Sequence, residues 1–327
     1  MIRVAIIDDY IDIARTLVDW SPVDALAEVV VFKKKFSDDD EAAQALADFD
    51  IICTLRERSA FNARLLSRLP RLKYIAVTGM RFDAIDVRAA TELGIVVSNS
   101  EVTRGGGGVS ELAWGLVIAT ARHIACEDAG IRRGGWQSRA GFTLRGKTIG
   151  IVGLGRIGIR MAAYAKAFEM NVLAWSPHMN AERAAAHGAA YAPLQTLLAS
   201  SDVVTLHMPL NESTRGLLGP TELGWMKKTA ILINTSRAAL VDQCALTDAL
   251  TRGLLGGAGL DVFETEPMAA DDPIRQLPRT VLTPHIGYFT SEMLTVYYED
   301  AVEAIVAFIK GRPIRVVNPE VLGRTRA

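Results

Sequence analysis

The sequence predicts an α/β protein of two parallel sheets, each covered by helices on both faces. Three observations carry that expectation. Short β-branched runs alternate with helical patterns along all 327 residues. A glycine-rich turn, Gly153-Leu154-Gly155-Arg156-Ile157-Gly158, links one of those runs to a helical pattern. The length suits about two domains at roughly 150 residues each.

The apolar runs fall at 3–8, 28–32, 50–53, 74–78, 94–98, 148–153, 171–175, 202–207, 230–236 and 280–284. Each is built on a continuous apolar stretch, as strands buried on both faces are. Helical patterns lie between them at 39–48, 62–68, 83–93, 156–169, 181–187 and 242–252. Such alternation makes a sheet parallel, with the helices as crossovers. The pattern 109–133 has apolar residues on most faces, so one long helix buried between domains or subunits is expected there. The pattern 290–310 should return the chain to the first domain. The expected organisation is a discontinuous domain, 1–101 plus 292–327, with a second domain, 102–291, inserted into it. The four glycines of TRGGGG (103–108) should make that connection flexible.

Composition excludes several classes. Half the residues are hydrophobic and 22% are charged, enough to fill two cores and too apolar for a disordered chain. Lys and Arg number 36 against 37 Asp and Glu, so there is no basic field for nucleic acid or an anionic membrane. The three cysteines, Cys53, Cys126 and Cys244, form no CxxC pair, and an odd number argues against a disulfide framework. The opening MIRVAIIDD runs into acids too soon for a secretory peptide, and no apolar run reaches the 18 or so residues of a spanning helix. A cytoplasmic protein is expected. His123, His178 and His187 have no partners in spacing, so no metal site is expected.

The glycine turn carries the first chemistry. Gly153 permits a tight turn, Gly155 lets backbone approach a pyrophosphate, and Gly158 lets helix pack on strand. The helix opening at Arg156 and Ile157 offers free N–H groups and a positive dipole end to the anion. A ribose-binding acid is expected at the end of the next strand. Ser176 stands there instead, followed by Pro177 and His178. A serine can bond a ribose hydroxyl and repels no 2′-phosphate, yet no adjacent arginine attracts one. The residues favour NAD and leave NADP open.

Three more stretches follow predicted strands, at the sheet edge where an open parallel sheet places its site. They contain Arg237, then Asp261 and Glu266, then His285. Hydride transfer to a carbonyl needs a cation to hold a carboxylate and polarise the carbonyl. It needs a group of near-neutral pKa to move a proton, and a carboxylate to orient that group. Arg237, His285 and Glu266 are of those types. Each alone also fits a dull role, as a salt bridge, a loop histidine or a surface charge.

The motifs GKTIGIVGLGRIG (146–158), LHMPL (206–210) with Thr214, NTSRAALVD (234–242), GAGLDVFETEP (257–267) and LTPHIG (282–287) resemble those of the D-isomer-specific 2-hydroxyacid dehydrogenases, in the family's order. The resemblance covers essentially the whole chain. It implies two Rossmann-like domains with a cleft between them, the cofactor domain inserted into a discontinuous substrate domain, and a homodimer joined through the cofactor domain. It implies that Arg237 binds and polarises a 2-keto acid, that His285 is the acid/base and that Glu266 is its partner. Asp261 resembles the residue near the nicotinamide carboxamide. His207, Pro209, Thr214, Thr235, Ser236 and Gly287 look like cofactor contacts. The substrate carboxylate is expected on backbone N–H groups of the loop Thr78-Gly79-Met80-Arg81-Phe82-Asp83. Arg81 stands where many members carry glycine. Arg56 and Arg58 follow the preceding strand. These arginines either face the substrate or pair with Glu57, Asp83 or Asp86.

Two other readings compete. A dinucleotide-sensing, corepressor-like binding protein would need recruiting surfaces or extensions, and the sequence ends soon after Asn318-Pro319. Phosphoglycerate oxidation for serine synthesis fits the same residues, although many such enzymes carry a further regulatory domain.

Overall fold

The computed structural model describes residues 1–101, 107–277 and 279–323. Most of the TRGGGG stretch, 103–106, lies outside the described residues. The chain divides into two compact units, Met1–Gly106 with Thr290–Ala327, and Gly107–Phe289.

The first unit holds strands β1 (Ile2–Ile6), β2 (Ala27–Val31), β3 (Ile51–Thr54), β4 (Tyr74–Val77) and β5 (Val96–Asn99). All pair in parallel, in the order β2-β1-β3-β4-β5. Every residue of β3 and β4 is buried, which accounts for their unbroken apolar runs. The helix Ser291–Ile309 belongs to this unit, and Phe308 stacks on Tyr74 of β4 at 4.3 Å. Beyond it, Asn318 takes the Val97 N–H at 2.9 Å and ties the end of the chain to β5.

The second unit holds β6 (Thr148–Val152), β7 (Asn171–Trp175), β8 (Ala190–Tyr191), β9 (Val203–Leu206), β10 (Ile231–Asn234), β11 (Gly257–Leu260) and β12 (Thr280–Leu282). The order is β12-β11-β10-β9-β6-β7-β8, again all parallel. The chain starts in the middle at β6, works outward through β7 and β8, then crosses to β9 on the other side. That reversal at β6 is the switch point where doubly wound sheets bind dinucleotides.

The expected single helix 109–133 is two helices, Gly108–Ala121 and Ile124–Arg132. They break at His123, whose φ of +55° is left-handed and cannot continue a right-handed ladder. The Ala121 carbonyl accepts the Phe142 N–H at 3.0 Å instead of an N–H one turn on. Gly141 makes that crossing, since a Cβ there would lie 2.5 Å from the same carbonyl. The first helix buries Ala113, Trp114, Leu116, Val117 and Ala121 within its own unit, and the second buries nothing. Its apolar character therefore needs no second subunit to explain it. No described helix is long and apolar enough to cross a membrane.

Candidate active site

After β6 the chain turns at Gly153 (φ +102°), whose N–H donates to the Trp175 carbonyl at 2.8 Å. A Cβ at Gly153 would meet the His207 carbonyl at 2.5 Å, and one at Gly158 the Gly153 carbonyl at 2.1 Å. Both glycines are therefore required by packing. Gly155 differs: a Cβ there would meet nothing within 4 Å. It caps the helix Arg156–Ala167 without any side-chain hydrogen bond, so no cap side chain competes for the first N–H groups of the helix. This is the cradle a diphosphate fits.

Two buried polar atoms at the ends of the next strands in the sheet, β9 and β10, lack a hydrogen-bond partner. One is Nδ1 of His207, directly after β9, and the other is Oγ1 of Thr235, directly after β10. The other His207 nitrogen, Nε2, pairs with Thr205 Oγ1 at 2.9 Å. Burial lowers the His207 pKa to about 3, so the ring is neutral and offers one donor or acceptor at Nδ1. Open backbone at Gly155 and these two polar atoms suit a bound dinucleotide. Ser236 gives its hydroxyl to the Leu206 carbonyl at 2.7 Å. Thr214, expected at the cofactor, gives its hydroxyl to the Pro209 carbonyl at 2.7 Å and so shapes its own loop. Ser176, half-buried after β7, accepts the Met179 N–H on its carbonyl at 3.0 Å.

The acid–base residues follow three adjacent strands. Asn234 Oδ1 accepts the Ser236 N–H at 3.0 Å, and its Nδ2 donates to the Arg237 carbonyl at 2.9 Å, which folds the turn that presents Arg237. Glu266 follows β11. Its Oε1 accepts the Phe263 N–H at 2.9 Å, and its Oε2 stands 2.6 Å from His285 Nδ1. Burial resists the charge of Glu266, but the hydrogen bond and charge of His285, the Phe263 N–H and the Arg237 charge together hold its carboxyl below the usual range. The Tyr288 ring meets the His285 ring edge-on, with centroids 5.7 Å apart.

Asp261 is 1% exposed. It accepts the Thr283 hydroxyl at 2.6 Å, the Ile286 N–H at 2.8 Å and the Gly287 N–H at 2.9 Å. Burial pushes its carboxyl up, against the pull of those donors. Thr283 opens the third stretch singled out in the sequence, 283–287, but nothing in the sequence assigns it a role, and Tyr288 carries no sequence signal.

Arg56, Gly79, Met80 and Arg81 lie in the first unit. Arg56 folds across Gly79 (φ +92°), where a Cβ would sit 2.1 Å from its Nη1. Its guanidinium also lies 5.7 Å from the Tyr297 ring centre. Arg81 is held by Asp83 at 2.6 Å and approaches Glu57 at 3.8 Å. Arg58 donates to the Asp8 carbonyl at 2.7 Å. Among the described residues no group of three or more His, Cys, Asp or Glu could hold a metal.

The sequence model for the D-isomer specific 2-hydroxyacid dehydrogenase NAD binding domain matches residues 114–287. A glyoxylate reductase of Aeropyrum pernix is 41% identical over 273 residues, covering 79% of this chain and 80% of that protein. A D-3-phosphoglycerate dehydrogenase of Archaeoglobus fulgidus is 40% identical over 80% of this chain, but over only 50% of its own length. Among solved structures, a candidate D-3-phosphoglycerate dehydrogenase oxidoreductase from Ralstonia solanacearum superposes with a TM-score of 0.93 at 36% identity, over 99% of each chain.

Proposed function

The chain belongs to the D-isomer-specific 2-hydroxyacid dehydrogenase family, and from that premise we propose that Arg237, Glu266 and His285 carry its reaction. The reaction class is hydride transfer between a nicotinamide cofactor, NAD or also NADP, and a 2-hydroxy/2-keto acid pair. The bound nicotinamide supplies or receives the hydride at C2 of the acid. Arg237 holds the substrate carboxylate and polarises the carbonyl. In reduction, the His285 imidazolium gives its proton to the oxygen at C2. In oxidation, the neutral imidazole takes that proton back. Glu266 fixes the tautomer and ring direction through Nδ1, leaving Nε2 for the substrate.

The single observation behind this reading is the 2.6 Å contact of Glu266 with His285. It suits proton transfer at Nε2, and turnover is the property that separates this reading from a cofactor-sensing binding protein. In the first unit, the backbone of Gly79 and Met80 and the Arg56 side chain are our candidates for further carboxylate contacts. Arg56 and Arg81 both also meet acids: Arg81 meets Asp83 at 2.6 Å, and Arg56 approaches Glu57 at 3.9 Å, so Arg81 is the more firmly engaged of the two. The experiment is a screen of small 2-keto acids with NADH and NADPH, followed by nicotinamide absorbance. It includes glyoxylate and a phosphorylated 2-keto acid, since relatives of both kinds match. No turnover with any 2-keto acid by a protein that binds NADH would favour the binding-protein reading.

We also propose a homodimer in the cytoplasm. The segment after the helix break leaves Ile124 49%, Ile131 53% and Trp136 76% exposed, an apolar set that a second copy would cover. All three cysteines are free thiols, as a reducing compartment would keep them.

A further inference from the structure

We propose that the outer face of the helix Ser291–Ile309 is a second, weaker contact between copies of this chain, separate from the segment 124–136. Glu299, Val302, Glu303, Val306, Ala307 and Lys310 recur three or four positions apart and so form one stripe along this helix and its end. The stripe borders an open groove of about 880 Å³, whose other wall is Leu17, Val18 and Pro22. The Trp20 ring, edge-on to Tyr298 with centroids 6.2 Å apart, holds that wall against the helix. Leu17, Val18, Val302, Val306 and Ala307 are left half-buried along the groove.

The charges on this face are sorted along its length. Asp19 and Glu299 share one end, because each adjoins a ring of the Trp20–Tyr298 pair. Lys310 and Arg312 share the other, where the Arg312 N–H donates to the Ala307 carbonyl at 2.9 Å. Glu303, nearer the acidic end, already takes Arg315 at 2.6 Å. Glu299, Lys310 and Arg312 are exposed and make no ion pair among the described residues. A face with acid at one end and base at the other complements neither an acidic nor a basic partner. It complements a copy of itself turned about a two-fold axis, where one patch serves both sides. An antiparallel register that sets Glu299 opposite Lys310 of the second copy also sets Val302 opposite Ala307 of that copy. Opposite charges then meet at the ends, and apolar groups meet between them. The helix is a ridge beside the groove, so each copy can seat its ridge in the groove of the other. The stripe is about 16 Å long at 1.5 Å per residue. That is short for a permanent interface of about 800 Å² a side, so the contact is of the transient kind.

The test is sedimentation equilibrium of the full-length protein at about 1 and about 300 micromolar, which bracket the weak affinity of so small an interface. In low salt the mass should double between the two, whatever the assembly at the lower concentration. The doubling should fade at about 0.5 M salt, where exposed charges are screened. Val306→Glu should abolish it. Lys310→Glu sets like charges together at both symmetric ends and should raise the Kd about tenfold. Glu299→Lys with Lys310→Glu reverses both ends and should restore the parent Kd. All these variants should keep the parent kcat, and if Val306→Glu does not fold, the exposed pair decides alone. An unchanged mass at the higher concentration would overturn the inference and leave the groove to another occupant. So would parent-like doubling in Val306→Glu, or a charge-reversed pair that stays as weak as Lys310→Glu. Failure of the contact at 124–136 looks different, because it lowers the mass already at the lower concentration.

Discussion

His285 Nδ1 lies 2.6 Å from Glu266 Oε2, and Glu266 is itself anchored by the Phe263 N–H at 2.9 Å. The carboxyl of Glu266 is held below its usual range, so it is ionised at neutral pH and loses its charge only well into acid. Reduction uses the imidazolium at His285, held through Nδ1 by this carboxylate. Glu266→Gln removes the charge while keeping an acceptor, so kcat for 2-keto acid reduction at neutral pH should fall while NADH still binds. The check is kcat and NADH affinity for parent and variant at pH 7, and an unchanged kcat would count against the pair. The ionised Glu266 also contributes to stability in a pH-dependent way. A carboxyl with a lowered folded-state pKa stabilises the fold above its unfolded pKa, and that contribution disappears as pH falls through the folded one.

His285→Ala and Arg237→Ala should fail in different ways. General acid–base catalysis contributes about 10²–10⁴-fold, and His285→Ala should lose that much of kcat while binding NADH normally. In the parent, reduction should slow and oxidation should quicken as pH rises, because the two directions need opposite forms of one imidazole. Arg237→Ala should raise KM and lower kcat together, since it removes both the carboxylate contact and the polarisation of the carbonyl. Steady-state kinetics in both directions separates the two patterns.

The glycines of the phosphate loop should also separate. A Cβ at Gly158 would sit 2.1 Å from the Gly153 carbonyl, so Gly158→Ala must displace backbone. Overpacking of that kind costs about 1–3 kcal/mol, which a melting curve reads as a Tm lowered by several degrees. Gly155→Ala has open space and should melt with the parent. Its methyl group would occupy the approach of the diphosphate, so its NADH affinity should fall about tenfold or more. Equal melting losses for both variants would remove the distinction.

Much of this architecture is legible in sequence, and the exceptions have physical causes. Most strands announce themselves as β-branched runs. β11 does not, because its sequence is Gly-Ala-Gly-Leu. Its glycines are there for space: a Cβ at Gly257 would lie 2.6 Å from the Arg279 carbonyl, and one at Gly259 would lie 2.9 Å from Ile233 and Thr120. Helix Gly108–Ala121 packs directly on this strand, so strand propensity gives way to close approach. The break at His123 was invisible because no glycine or proline marks it. At the site, the residue types of Arg237, Glu266 and His285 stand out through their motifs. The clamp of Asp261 on three donors does not, since which N–H groups a carboxylate collects depends on the fold of the loop.

The dimer has a direct test. Ile124, Ile131 and Trp136 are all exposed, so replacing them should not disturb the core. Sedimentation at micromolar concentration should show a dimer for the parent. Ile131→Asp with Trp136→Glu should give a folded monomer, because two buried charges facing apolar surface are costly. A monomeric parent would refute the proposal outright.

Cofactor choice turns on Ser176. It follows β7 and is half-buried, where a dinucleotide-binding sheet commonly places an acid for the ribose. Its carbonyl is held by the Met179 N–H at 3.0 Å, which bends the chain so that Pro177 and His178 are exposed. The nearest arginine in the sequence, Arg183, lies on the next helix, and its side chain is solvent-exposed. No negative charge repels a 2′-phosphate, and no guanidinium within the turn itself clamps one. NADH should therefore be preferred, but by a margin smaller than an acid would give. Ser176→Asp should widen it through repulsion of the phosphate, and Ser176→Ala should change it little. The measurement is the ratio of kcat/KM for NADH and NADPH in the parent and both variants. A tenfold ratio corresponds to about 1.4 kcal/mol. A parent that prefers NADPH by that factor would mean that a cation reaches the ribose after all, and Arg183→Ala would then be the variant to abolish the preference.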